Sequence, residues 1–132
     1  MEKLEPIYDL RERALRFATQ IVKYVRTFPR DVAGFEIGGQ LVRSGTSPGA
    51  NYEEADACAS ANEFIYKIRT CLKESQETRY WLMVSKFAFG ESELNTWLLK
   101  EISELIKIFN SIIAKTIKKR KSPNHNAPKS QT

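Results

Sequence analysis

The chain has 132 residues, 42% hydrophobic and 28% charged, with a formal net charge of +5. That make-up suits one globular domain able to bury a core without staples. Two cysteines rule out a disulfide scaffold, and no run reaches the roughly 18 apolar residues of a membrane span.

The opening residues, MEKLEPIYDLRER, lack the apolar core of a secretory signal, so a cytoplasmic protein is expected. A first helix is expected over about residues 8–27. Leu10, Ala14, Phe17, Ile21, Tyr24 and Phe28 recur at helical spacing, with Ala18 and Val25 widening the stripe. Arg11, Arg16, Lys23 and Arg26 lie opposite. Phe28-Pro29 stops this helix, because proline disfavours helical geometry in the residue before it.

A second helix is expected over about 31–58, with Asp31 as its N-cap and Phe35, Ile37, Leu41 and Val42 as its first apolar contacts. Ser47-Pro48-Gly49 interrupts it. An internal proline removes a backbone donor and costs about 3 kcal/mol or more, so the segment either breaks or kinks and continues. The small residues of 50–59 favour a kink. Arg43, Ser44, Thr46, Ser47, Asn51 and Glu54 fall on what should be the buried line. A buried polar group left unpaired costs roughly 1–3 kcal/mol. These side chains are therefore expected to be paired between helices.

A third helix is expected over about 60–88, opened by Ser60 and Glu63 at capping-box spacing and closed near Gly90. Its seam reads Phe64, Ile68, Cys71, Ser75, Thr78 and Leu82. A fourth, over about 91–119, carries Leu98, Ile102, Leu105, Phe109, Ile112 and Thr116 at heptad spacing. Leu99, Ile106, Ile113 and Ile117 form a second line, which hints at oligomerisation. Four amphipathic segments with short connections give an all-α, antiparallel up-down-up-down four-helix bundle over 1–119. Residues 120–132 read as a basic, polar, disordered tail.

Charge is unevenly placed. Residues 115–132 hold six of the 21 basic residues and no acidic one, leaving 15 basic against 16 acidic elsewhere. Lys115, Lys118, Lys119, Arg120 and Lys121 are thus candidates for phosphate or an acidic partner. The alternative is a solubilising helix end favoured by the helix dipole.

The reactive groups of common sites are missing. The one histidine, His125, lies in the tail, so inward Glu-x-x-His metal pairs, standard zinc ligand sets and Ser/His or Cys/His pairs are not available. Glu53, Glu54, Asp56, Glu74 and Glu77 could in principle support acid–base work, but solvated or lysine-paired carboxylates are the simpler reading. Tyr52, Tyr66, Tyr80, Trp81 and Trp97 could stack on unpaired bases, although at helical spacing the tryptophans read as core or interface anchors. No enzyme, metal or cofactor is expected.

Residues 40–54, QLVRSGTSPGANYEE, resemble the QL-x-R-S-x-x-S-x-x-x-N-x-x-E pattern of four-helix bundle proteins related to the 23S ribosomal RNA intervening-sequence protein. EFIYKIRTCLKESQETRYWL is similar to that family's third helix, and Phe28-Pro29 to its hinge. Pro48-Gly49 departs from the pattern, which has an aliphatic and a small residue there. The resemblance covers about residues 8–115. It implies a homo-oligomeric ring, typically a pentamer, and relatives that include accessory proteins of diversity-generating retroelements, which associate with a reverse transcriptase and its RNA. It also marks Gln40, Arg43, Ser44, Ser47, Asn51, Glu54, Lys73, Glu74, Glu77 and Trp81 as pattern residues. Their expected role is structural: Arg43, Ser47, Asn51 and Glu54 in a polar network with Lys73 and Glu77. The functional expectation is a non-catalytic scaffold that binds RNA or a reverse transcriptase. A protein-interaction module without a nucleic-acid role is the alternative.

Overall fold

A computed structural model of the chain describes residues 3–121. Four helices account for most of them: α1 (Leu10–Val25), α2 (Val32–Asp56), α3 (Ala61–Phe89) and α4 (Glu93–Lys121). Each start is capped by a side chain that satisfies an otherwise orphan amide. Asp9 accepts from Glu12 N at 3.0 Å, Asp31 from Gly34 N at 2.8 Å, Ser60 from Glu63 N at 3.2 Å and Ser92 from Asn95 N at 3.0 Å. Such a cap contributes about 1 kcal/mol. Gly90, at φ 101°, ends α3 in a conformation that a side chain would resist.

The helices form a closed square. α1 packs on α2 and α4, and α3 packs on α2 and α4, while the diagonal pairs stand farther apart and meet only through side chains, as Tyr24 of α1 and Ser85 of α3 do. With short connections, neighbours in sequence run antiparallel, which gives the up-down-up-down bundle. Phe17, Ile21, Leu41, Ile68, Leu82, Leu98, Ile102, Leu105 and Phe109 are sealed from solvent in its centre. Each contributes about 1.5–3 kcal/mol by leaving water. Phe28 closes the α1–α2 end, meeting Tyr24 and Phe89 edge-on with ring centroids at 4.9 Å in both cases.

Helix α2 continues through Pro48, the alternative that the sequence favoured over a break, and the Pro48 carbonyl accepts the Cys71 thiol of α3 at 3.4 Å. Helix α2 departs from expectation in two ways. Its buried line is Gly34, Gly38, Leu41, Ser44, Gly45, Pro48 and Ala55, so small residues occupy the line assigned to Arg43, Asn51 and Glu54. The reason is close approach. A Cβ at Gly45 would stand 2.8 Å from Ile21 of α1, and one at Gly34 only 1.8 Å from the Pro29 carbonyl oxygen. Finally, Phe35 is exposed rather than packed.

Helix α4 continues to Lys121, which places Arg120 and Lys121 on the helix rather than in a tail. The expected disorder of 122–132 lies outside the described residues. Among the described residues no helix is long and apolar enough to cross a membrane.

Candidate nucleic-acid interface and the polar contacts between helices

The last turns of α4 are held by Ile112, Ile113 and Ile117, which lean on the core. The 3.6-residue period then turns Lys115, Lys118, Lys119 and Arg120 outward, and all four are exposed. None of them makes an ion pair or hydrogen bond among the described residues. Like charges one turn apart repel by a few tenths of a kcal/mol, roughly what the helix C-terminus returns to a cation. Lys121 is the last residue of α4, and its side chain lies outside the described residues.

Lys115, Lys119 and Arg120 form one wall of an open groove of about 570 Å³. The α2–α3 turn, from Ala59 to Ala61, forms the other wall, and Phe64 also lines it. The one acid in the groove, Asp56, is already engaged by Arg11, which bonds Glu53 at 2.9 Å as well. The groove therefore presents three cations, Lys115, Lys119 and Arg120, against one acid that is itself tied to an arginine.

The polar residues expected to form one buried network form separate pieces at the helix edges. Arg43 reaches from α2 to Glu77 Oε1 at 2.6 Å and lies 3.6 Å from Glu74 Oε2, while also donating to Gln40 at 2.7 Å. Arg43 holds the Glu77 carboxyl below the usual carboxylate range. Burial, and then the charge of Glu77, pushes Glu74 above it. Lys67 pairs with Glu54 at 2.8 Å, which raises the lysine. Asn51 bonds within its own helix, to the Ser47 carbonyl at 3.0 Å and the Ser47 hydroxyl at 2.9 Å. Lys73 is exposed and makes none of these contacts. The Ser44 hydroxyl is buried without a hydrogen bond among the described residues.

Two further polar contacts were not singled out from sequence. Arg13 on α1 grips Glu101 on α4 with two bonds of 2.8 and 2.9 Å, which raises the guanidinium. Tyr24, Ser85 and Asn95 join three helices in the interior. Glu101 and Asn95 lie on the buried stripe of α4, so a charged or amide group on an apolar line was the available signal. Trp97 is half-buried, with the Arg16 guanidinium 5.3 Å above its ring. No cluster of His, Cys, Asp and Glu suited to a metal occurs among the described residues.

The model of the 23S rRNA-intervening sequence protein family matches residues 8–111. The chain belongs to this family. A solved structure from Bacteroides thetaiotaomicron, described as a protein of unknown function from the S23 ribosomal protein family, is 33% identical. It superposes with a TM-score of 0.73 and covers 80% of this chain and 98% of its own. No curated protein matches. The four-helix bundle is thus common to this chain and that member of the S23 family.

Proposed function

We propose that the protein is a non-catalytic, self-associating scaffold in the cytoplasm that holds RNA, with or without a reverse-transcriptase partner, on the basic end of α4. The observation that carries this reading is the run Lys115, Lys118, Lys119 and Arg120, unpaired among the described residues, beside a groove whose one acid, Asp56, is tied to Arg11. Such a surface gains affinity by releasing counterions from phosphates. The family's name, taken from an intervening sequence of 23S rRNA, is consistent with an RNA ligand.

Self-association is supported by α3. Tyr80, Met83 and Phe87 lie on one exposed face at i, i+3 and i+7, and Tyr80 and Phe87 are 60% and 77% accessible. A ring of copies, a pentamer by family resemblance, would cover such a face. The same stripe favours the second reading, a protein-interaction module with no nucleic-acid role.

Light scattering with and without RNA separates the two. The scaffold reading expects an oligomer whose mass rises when RNA is added. The module reading expects an oligomer of unchanged mass, and that outcome rejects RNA binding.

A further inference from the structure

We infer that the basic end of α4 takes a single-stranded phosphodiester chain rather than a duplex, with one unstacked base entering the groove beside Phe64. This rests on the RNA-holding reading above and narrows its ligand. The groove's volume of about 570 Å³ lies within the roughly 300–1,000 Å³ that suits one small ligand. It has room for a splayed nucleotide but not for the width of a double helix.

The chemistry of the walls agrees. Lys115 and Lys119 stand one helical turn apart, so a backbone running along α4 meets a cation at each turn. The facing wall, Ala59 to Ala61, is small and uncharged, which lets a strand lie close. The N-terminus of α3 opens on the same side and adds partial positive charge. Phe64 is half-buried and supplies the one aromatic ring in the lining. Bases inside a duplex have both faces covered, so a ring set into a groove reaches only a base outside the stack. Stacking on such a ring tolerates every base, and little sequence preference is expected.

The test is fluorescence anisotropy of the full chain with a labelled RNA strand, the DNA strand of the same sequence and the blunt RNA duplex, at about 50 mM salt. The strands should bind at least about fivefold more tightly than the duplex. Phe64→Leu should weaken strand binding by about fivefold and leave duplex binding unchanged. Ala59→Gln, which fills the groove from an exposed turn without touching the core, should do the same. Preference for RNA over DNA supports the groove and adds a contact to the ribose hydroxyl; equal binding supports it without one. A duplex bound as tightly as the strand, or both variants binding the strand as the unaltered chain does, overturns the inference alone. An unaltered chain that binds none of the three overturns the RNA-holding reading as well.

Discussion

The Tyr24 hydroxyl on α1 and the Asn95 amide on α4 meet inside the bundle at 2.7 Å, although 71 residues separate them in the chain. The direction of every proton in this contact follows from the partners. The Asn95 Nδ2 gives one hydrogen to Tyr24 and the other to the Leu82 carbonyl at 3.2 Å. Ser85 donates to that same carbonyl at 2.9 Å, so the Tyr24 proton goes to Ser85 Oγ at 2.8 Å. The set ties α1, α3 and α4 together and fixes how far each slides along the others.

Tyr24→Phe should therefore lower stability by about 1–2 kcal/mol in urea unfolding, because it leaves a buried amide hydrogen without an acceptor. Combined with Asn95→Ala, the two changes should cost less than their sum by at least about 0.5 kcal/mol. Strict additivity would mean that the hydrogen bond does not form in solution.

Two glycines of α2 should respond to alanine with opposite signs. At Gly39 an added Cβ meets nothing within 4 Å, so Gly39→Ala should stabilise by about 0.5–1 kcal/mol through helix propensity. At Gly45 the Cβ would stand 2.8 Å from Ile21 Cγ1, and overpacking of about 1–3 kcal/mol outweighs the same gain. Thermal melting of the two variants checks this. Equal shifts would show that α1 and α2 are not so closely packed.

These two relationships also mark where sequence reading succeeds and stops. The stripes of α1, α3 and α4 were legible because burial repeats at the helical period, and even Ser75 and Thr78 fell on the buried seam of α3. The buried line of α2 was placed on Arg43, Asn51 and Glu54 as well as Ser44 because glycine and proline score as interruptions on an apolar scale, yet close approach needs them on the inside. Periodicity says which face is buried but not which residue lies across from it. Tyr24 with Asn95 and Arg13 with Glu101 therefore stayed hidden. The cations of α4 were visible as a charge run. The groove was not, since its other wall is contributed by a turn more than 50 residues away.

Glu101 should prove the more sensitive partner of the Arg13 pair. Its side chain is 8% accessible against 22% for Arg13. Glu101→Gln leaves the guanidinium without its charge partner in a half-dry site and should cost about 1–3 kcal/mol, between the values for exposed and buried pairs. Raising salt should shrink the loss only slightly. A loss that vanishes in salt would place the pair in open solvent.

The α2–α3 carboxylates should pull stability in opposite directions as pH changes. Glu77 sits below its ordinary 4.5 in the folded chain, so its contribution is present above that value and is lost as pH falls through the lower folded one. Glu74 sits above 4.5, so its contribution is present below that value and is lost as pH rises through the higher folded one. At about pH 7, Glu74→Gln should raise the urea midpoint and Glu77→Gln should lower it. The Glu74 difference should disappear below its ordinary pKa, where the carboxyl is protonated in both states. A fall in midpoint for Glu74→Gln at neutral pH would show that Arg43 outweighs burial there.

RNA binding by the exposed end of α4 is best measured as the change of affinity with salt, using a single-stranded RNA. Four neutralised phosphates should make log K fall with log salt at a slope of about −3. Replacing Lys115, Lys118, Lys119 and Arg120 together by alanine should remove about that much slope along with most of the affinity. If the unaltered chain fails to bind at low salt, or if the four-alanine variant keeps the full slope, the basic end of α4 is not where this protein holds RNA.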